Sequence, residues 1–279
     1  MFESLYYTSI FFKITFAGYA VALAAYVLGL FVKARVFRSI PYALFTLAFL
    51  SCTVLIVDRW IEAGRPPFKS FYESLVFAAW TISLVSLVVE RRFKIRLIGL
   101  MSAIGIVLIF FYALTKRDVE IIALPPALQT WMFIPHVISY FLAYGALFVA
   151  GLSAVLYLVF PGGLASHHSL GEQSRIDFAE TTYQITKFGF LFLTAGLLLG
   201  AWWGQNAWSN YWAWDPKENW ALITWLIFAA YLHFRNLPAW GSKRLAWVVI
   251  IGVIAIIFTY LGMEYLPTAG DSLHVYSKN

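Results

Sequence analysis

The chain has little charge and almost no cysteine, and each shortage excludes a class of protein. Charged residues make up only 12% of its 279 residues, roughly half the share found in soluble globular domains. The one cysteine, Cys52, excludes an internal disulfide, a CxxC redox pair and a cysteine metal cluster made by this chain alone. Cys52 lies in an apolar run, and we interpret it as a packing residue.

The N-terminal segment MFESLYYTSIFFK has neither a basic leader nor a cleavage site of small residues. We therefore expect the first apolar run to be retained rather than removed as a signal peptide. Apolar residues make up 61% of the chain, which predicts an integral membrane protein. We predict an all-α polytopic bundle of about eight transmembrane helices that form one membrane domain over residues 1–279. Runs long enough to cross about 30 Å of hydrocarbon lie at 11–32, 40–57, 71–89, 95–114, 137–160, 185–204, 216–234 and 245–263.

Lysine and arginine are distributed unevenly between these runs, and such residues accumulate on the cytoplasmic side of membrane proteins. Alternate connections carry most of them: Lys33, Arg35, Arg38, Arg91, Arg92, Lys94, Arg96, Arg175, Lys187, Arg235, Lys243 and Arg244. Most acids lie on the other side: Asp58, Glu62, Asp118, Glu120, Asp215, Glu218, Glu264 and Asp271. We predict extracytoplasmic termini, an external segment 202–220, an external tail 264–279 and a cytoplasmic loop 161–184. The net charge of +6 then follows from topology and does not indicate a nucleic-acid partner.

Six of the 12 tryptophans lie between positions 202 and 220, in WWGQNAWSNYWAWDPKENW. Tryptophan is enriched at membrane interfaces as an anchor, and such a belt explains two or three of them. It explains poorly why five gather in one predicted external loop: Trp203, Trp208, Trp212, Trp214 and Trp220. Because Gly204, Asn206 and Asn210 lie between them, we interpret this loop as a flexible aromatic platform.

The DPKE sequence inside this stretch predicts the start of a helix. Asp215 fits the N-cap, Pro216 the first helical position and Glu218 the third, which together form a capping box. We expect Asp215 to have this role in addition to one in the aromatic site.

The five histidines are the main candidates for chemistry, because imidazole is the commonest protein metal ligand and ionisable residues are rare near membrane spans. His136 opens the fifth span at its predicted external end, and His274 lies in the external tail, which can fold back by tens of ångströms. Both can reach the tryptophan stretch. His233 lies about 25 Å from the start of its predicted helix and cannot share a ligand with them. His167 and His168 are expected to be solvated in the cytoplasmic loop.

Two histidines that converge on an aromatic surface suggest a flat, apolar ligand with a metal at its centre, and haem is the natural candidate. Imidazoles would fill the axial positions while indole rings contact the macrocycle. Zinc would require three or four ligands, and the predicted external side has no cysteine and no further histidine. Each histidine also has an ordinary interpretation as an interfacial hydrogen-bonding residue.

Two blocks of sequence resemble a known family. The stretch 203–235, WGQNAWSNYWAWDPKENWALITWLIFAAYLHFR, resembles the WWD signature of the CcsA/ResC family of system II cytochrome c biogenesis. A second block at 65–80, RPPFKSFYESLVFAAW, is similar to an external loop and the following span of that family. The resemblance covers most of the chain from about Arg65 to His274. It departs at Ser209, where glycine is usual, at Gly204, where alanine is common, and at Ser70, where asparagine is common.

The resemblance implies that the chain handles haem for attachment to apocytochrome c. His136 and His274 match two external histidines that ligate haem beside the WWD segment, and His233 matches an intramembrane histidine of a second haem site. The implied cofactor is haem b, iron protoporphyrin IX. The implied contacts to it from the WWD segment are Trp203, Trp208, Trp212, Trp214, Asp215 and Trp220.

The implied partners are a ResB-type membrane subunit, the CxxCH segment of apocytochrome c and the lipid bilayer of a bacterial cytoplasmic or thylakoid membrane. With that subunit the chain would form part of a haem lyase that makes the thioether bonds. We identify no catalytic acid, base or nucleophile and expect a template and ligand cage. Two alternatives stay open: a haem transporter that supplies a separate lyase, and a structural membrane scaffold with interfacial aromatics.

Overall fold

The computed structural model describes residues 9–32, 39–115, 121, 123–167 and 173–262, with side chains at 165–167 and 173–174 left aside. His168, His274 and the predicted tail 264–279 lie outside the described residues. The described part contains eight α-helices: α1 Ile10–Phe31, α2 Ile40–Ala63, α3 Phe71–Phe93, α4 Arg96–Ala113, α5 Phe133–Val159, α6 Phe178–Trp208, α7 Pro216–Phe234 and α8 Ser242–Tyr260. It also contains a 3-10 helix, Pro126–Leu128, and two strands, β1 Leu164–His167 and β2 Gln173–Ile176.

Seven of the eight described helices are long and apolar enough to cross a membrane. The prediction of an all-α polytopic membrane bundle is therefore confirmed. The remaining helix, α7, has the bounds predicted for the seventh span, and Lys217 and Glu218 lie in its first turn. The side of the membrane on which each end lies stays a prediction.

The predicted loop 161–184 was too long. Leu164 pairs with Ile176 in a short antiparallel hairpin, and α6 begins at Phe178. The Asp177 side chain caps this helix by accepting hydrogen bonds from the backbone N–H groups of Ala179 and Glu180, at 2.9 and 3.0 Å. The first turns of α6 are polar, so hydrophobicity alone placed its start seven residues too late.

The chain divides into two compact units, residues 1–123 and 124–279. In the first unit, α1 packs against α2 and α4, and α3 packs against α2 and α4. Tyr19 is fully buried between Phe45 and Phe110, with ring centroids 5.6 and 5.5 Å away. Its hydroxyl group forms a 2.7 Å hydrogen bond with Ser83. Aromatic packing around α1 therefore forms the core of this unit.

The start of α3 buries a carboxylate. Ser70 and Glu73 form a capping box, and the Glu73 side chain is 0% exposed. Arg59 Nε lies 3.1 Å and Arg65 Nη1 3.0 Å from its two oxygens, and the Lys69 and Ser70 N–H groups donate to it. Two guanidinium groups and two amides thus compensate the desolvation of one buried charge.

In the second unit, α5 packs along α6 and against α8, and α7 packs against α6 and α8. Glycines bring these helices close together, as small residues do in membrane proteins. A Cβ at Gly189 of α6 would lie 2.7 Å from Leu147 of α5, and one at Gly151 would lie 2.7 Å from Val253 of α8.

The second unit has two distinct ends. The tryptophan end comprises the 3-10 helix, the start of α5, the end of α6, the connection 209–215 and the start of α7. Thr259 lies 3.5 Å from the Trp220 carbonyl, so α8 finishes there too. The hairpin end comprises β1, β2, the start of α6 and the end of α7, where Arg235 pairs with Glu180 at 3.4 Å.

Candidate functional site

The tryptophans of the 202–220 segment do not lie in one loop, and that prediction was wrong. Trp202, Trp203 and Trp208 lie on the last turns of α6, and Trp220 lies on the first turns of α7. Trp212 and Trp214 occupy the seven-residue connection between the helices. The α6 helix extends farther than predicted. Only Gly204, Gln205 and Asn206 interrupt the apolar pattern of its last turns, and this interruption does not end the helix.

His136 lies on the first turn of α5 and faces the last turns of α6. Its Nδ1 atom is 2.9 Å from the carbonyl oxygen of Gly196. Its ring lies 5.4 Å from Trp203 and 5.0 Å from Tyr140 between centroids, with interplanar angles of 32° and 75°. The imidazole is therefore enclosed by an aromatic wall and a helix backbone, and it is half-buried.

Trp203 is the anchor of this wall. It is 3% exposed, and its Nε1–H group donates a 2.8 Å hydrogen bond to the carbonyl of Ala127 in the 3-10 helix. Its ring also contacts Trp208, 4.8 Å away at 66°, and Phe133, 5.4 Å away at 49°. The structure thus places His136 against Trp203, and Trp203 against Trp208.

The connection 209–215 is hydrogen-bonded to the first turns of α7. The Glu218 carboxylate accepts hydrogen bonds from the backbone N–H groups of Ala213 and Asp215, at 2.8 and 3.2 Å. Asp215 is buried, and its side chain accepts a 2.7 Å hydrogen bond from the N–H group of Lys217. It also accepts from the N–H group of Glu218, which completes the predicted capping box. Asn219 donates to the Trp214 carbonyl at 3.0 Å. The capping prediction is confirmed, and the prediction of a flexible platform is not.

The three departures from the family pattern can each be described by their local structure. Ser209 is the C-cap of α6 and has a left-handed backbone with φ of 60°, a conformation that glycine adopts without strain. A Cβ at Gly204 would lie 3.0 Å from the carbonyl oxygen of Asn210, so alanine would require a small shift of the connection. Ser70 is the N-cap of α3, where serine and asparagine are about equally effective.

Several aromatic rings at the tryptophan end are exposed. Trp131 and Trp202 meet edge to face at 5.6 Å and are 68% and 48% exposed. Trp214 is 69% exposed and meets Trp212 edge to face at 6.1 Å. Trp212 turns its Nε1 atom inward, where no described residue accepts its hydrogen bond. Large exposed indoles are typical of a surface that binds an apolar ligand or a membrane.

Trp220 belongs to a different contact. Its ring packs on Phe258 of α8 at 4.3 Å, and its carbonyl accepts a hydrogen bond from Thr224. This tryptophan therefore joins α7 to α8.

His233 lies at the hairpin end, near the last turn of an unbroken α7, and it is exposed. The helical rise places it about 25 Å from the start of α7, as predicted. Its ring lies 5.9 Å from Phe234. The convergence of His136 with His274 stays a prediction, since His274 lies outside the described residues. Among the described residues, no three His, Cys, Asp or Glu side chains form a group that could hold a metal ion.

The Glu73 cluster is the feature that sequence reasoning missed. The block 65–80 carries the family resemblance, but the resemblance implies no role for its charged residues. A usable signal was present, because Ser70 and Glu73 have the S-x-x-E spacing of a capping box. The pairing of Glu73 with Arg59 depends on tertiary structure and left no such signal.

Comparison with known proteins identifies a family for this chain. A family model described as cytochrome C assembly protein matches residues 69–269. The cytochrome c biogenesis protein CcsA of Guillardia theta is 36% identical and covers 95% of this chain and 94% of its own length. The CcsA protein of Prochlorococcus marinus is 34% identical and covers 85% of this chain and 84% of its own length.

A solved structure, that of the cytochrome c heme lyase CcmF, is similar over 90% of this chain with a TM-score of 0.65 and 19% identity. At this identity the likeness shows the fold, and the chain spans 46% of the length of that protein. The family model and the CcsA relatives each cover well over half of the sequence. This chain therefore belongs to the cytochrome c assembly protein family.

Proposed function

We propose that this chain handles haem in cytochrome c biogenesis: it holds haem b at the tryptophan end and presents it for covalent attachment to apocytochrome c. The observation that carries this proposal is His136, an imidazole set in an aromatic wall beside exposed indoles. Membership of the cytochrome c assembly family supports it independently.

The residues at this end fit a haem group. The Gly196 carbonyl can only accept a hydrogen bond, so Nδ1 of neutral His136 carries the proton and Nε2 carries the lone pair. An imidazole lone pair is a common axial ligand of haem iron. The exposed faces of Trp131, Trp202 and Trp214 offer apolar surface for the macrocycle.

The second axial ligand in this proposal is His274. The described part of α8 ends at the tryptophan end, beside Trp220. His274 lies twelve positions after Gly262, and extended chain spans at most about 3.3–3.6 Å per residue, so the reach is about 40 Å. That length is sufficient for an approach to His136 from the end of α8.

The proposed reaction is thioether formation with the CxxCH segment of apocytochrome c. Each cysteine S–H adds across a haem vinyl group, so that one C–S and one C–H bond form with no net oxidation. The nucleophiles come from the substrate, and this chain contributes orientation, which can supply a large part of such a rate. The tryptophan end would accordingly face the extracytoplasmic or lumenal side of a bacterial cytoplasmic or thylakoid membrane.

His233 is proposed to contact haem at the hairpin end, before haem reaches the tryptophan end. This exposed histidine supplies one imidazole, so we propose that a ResB-type subunit supplies the second. Haem bound at this position should then depend on the partner, whereas haem at the tryptophan end should not.

Haem content of histidine variants tests the proposal. The purified chain should show a Soret band that is strongly reduced by His136→Gly and by His274→Gly, and imidazole added to either variant should restore it. His233→Gly is the matched control and should retain the band at the tryptophan end. An unchanged Soret band in the His136→Gly, His274→Gly double variant would refute the proposal.

A CxxCH peptide distinguishes the two candidate activities. Incubation of the chain and its partner subunit with reduced haem and the peptide should yield a thioether-linked product, detected by mass spectrometry. Haem release to a separate lyase without that product would instead favour the transporter.

A further inference from the structure

The imidazole of His136 lies over two glycines of α6. Gly196 and Gly200 are four residues apart, so they lie on the same face of the helix, one above the other. Nδ1 of His136 is 2.9 Å from the Gly196 carbonyl oxygen. The ring is therefore in contact with a stretch of helix that presents backbone and no side chain.

Gly200 leaves space that the ring occupies. A Cβ at this position would lie 2.6 Å from Cε1 and 2.8 Å from Nδ1 of His136, closer than carbon atoms approach without a shift. The ring has little freedom to move away, because Trp203 and Tyr140 contact it. A Cβ at Gly196 would in turn lie 2.8 Å from the Tyr140 ring. An alanine at position 200 should therefore displace the imidazole.

Close helix packing is sufficient to explain why position 189 of α6 is a glycine, but Gly200 has a different neighbour. A Cβ at Gly189 would be equally close, at 2.7 Å, to Leu147, which is an apolar side chain in the core. At Gly200 the neighbour is an ionisable ring with a specific hydrogen bond. The difference between these two glycines provides a matched pair for an experiment.

The backbone hydrogen bond also determines which ring nitrogen can bind a metal. Partners that accept from one nitrogen of a ligating histidine fix its tautomer and orientation, and their loss typically lowers metal affinity by about 10–100-fold. Here the Gly196 carbonyl holds the proton on Nδ1 and leaves the lone pair on Nε2.

We propose that Gly196 and Gly200 are positioning residues for haem ligation by His136. Gly200 provides the space for the imidazole, and the Gly196 carbonyl fixes the tautomer in which Nε2 faces the iron. This inference rests on the proposed function, because it assumes that His136 is a haem ligand.

The test compares Gly200→Ala with Gly189→Ala in the full chain. Gly200→Ala should weaken haem binding at the tryptophan end by about 10–100-fold. It should also shift the Soret band and the reduction potential, and added imidazole should restore the band. Gly189→Ala should leave the spectrum and the potential of bound haem unchanged. Equal spectra for the two variants would overturn the inference.

A double variant separates displacement of the ring from general damage to the fold. If Gly200→Ala acts through His136, it should have no further effect on haem binding in a His136→Gly background, because coupled residues are non-additive. Additive losses would overturn the inference. The proposed function fails separately, if His136→Gly itself retains haem with an unchanged Soret band.

Discussion

Each of the two units has a capping box at the start of a helix, and the two capping boxes have different roles. At the start of α3, Glu73 is fully buried and bound by Arg59 and Arg65. At the start of α7, Glu218 is half-buried and its carboxylate binds the backbone of the connection 209–215. The first capping box compensates a buried charge. The second holds the connection from which the exposed ring of Trp214 projects. The same short motif can therefore either stabilise a buried charge or position a surface segment.

The largest expected change in the free energy of unfolding comes from the buried capping box of α3. Glu73→Gln removes the charge that faces Arg59 and Arg65, and an uncompensated buried charge costs about 3–5 kcal/mol. The free energy of unfolding in detergent should fall by that amount. Glu62→Gln is the matched control, because Glu62 pairs with Arg59 at 3.7 Å but is 60% exposed, and such pairs contribute about 0–1 kcal/mol. Similar losses for both variants would mean that burial of Glu73 is unimportant.

The second prediction concerns the capping box at the start of α7. Asp215→Ala should lower the free energy of unfolding by about 0.5–2 kcal/mol, because the N-cap of α7 is lost. It should also reduce haem retained at the tryptophan end, because Asp215 caps the turn of α7 that holds Glu218, and the Glu218 carboxylate binds the connection that carries Trp212 and Trp214.

Asp177→Ala provides the control for Asp215→Ala. Asp177 caps α6 through two backbone N–H groups at the hairpin end, so its loss should cost a similar free energy. Haem at the tryptophan end should nevertheless be retained. If both variants lost haem equally, the effect of Asp215→Ala would reflect global stability rather than the shape of the connection.

The third prediction compares the buried Trp203 with the exposed Trp214 in their contributions to the free energy of unfolding. Trp203→Phe keeps an aromatic ring but removes the hydrogen bond from Nε1–H to the Ala127 carbonyl. Because that carbonyl loses its donor, the free energy of unfolding should fall by about 0.5–1.5 kcal/mol or more. Trp214→Phe should change the free energy of unfolding by less than about 0.5 kcal/mol, because that ring is 69% exposed. Chemical denaturation of both variants checks this, and the reverse order of stability would contradict it.

The last prediction concerns two helix ends that share one conformation. Ser209 and Lys94 are the C-caps of α6 and α3, with φ of 60° and 58°. Glycine removes a strain of about 1 kcal/mol at such positions, so Ser209→Gly and Lys94→Gly should each raise the thermal midpoint slightly. Ala201→Gly, within α6, should lower it by a similar free energy. A lower midpoint for Ser209→Gly would show that the serine side chain has a role of its own.

The sequence predicted those features that depend on local chemistry. The bounds of α7 were predicted correctly because Asp215, Pro216 and Glu218 mark a helix start without reference to tertiary structure. The start of α6 differs from the prediction because polar side chains interrupt the apolar pattern over residues 178–184, FAETTYQ. Its end differs because Trp203 and Trp208 lie on the helix and not in a loop. The contact of His136 with Gly196 joins residues 60 positions apart. No periodicity or spacing in one sequence encodes such a contact, so the packing of His136 against Gly196 and Gly200 is evident only in the three-dimensional structure.

The length of α6 has a consequence for the lipid around the protein. Its 31 residues extend over about 46 Å, whereas the hydrocarbon layer of a bilayer is about 30 Å thick. Without its polar first turns, the helix from residue 185 to 208 still extends over about 36 Å. The resulting hydrophobic mismatch is accommodated by tilt, by local thickening of the bilayer or by projection into the headgroup layer. The depth at which Trp203 and Trp208 sit thus varies with the acyl chains of the host membrane, and a thinner bilayer leaves more of the indole surface in contact with headgroups and water.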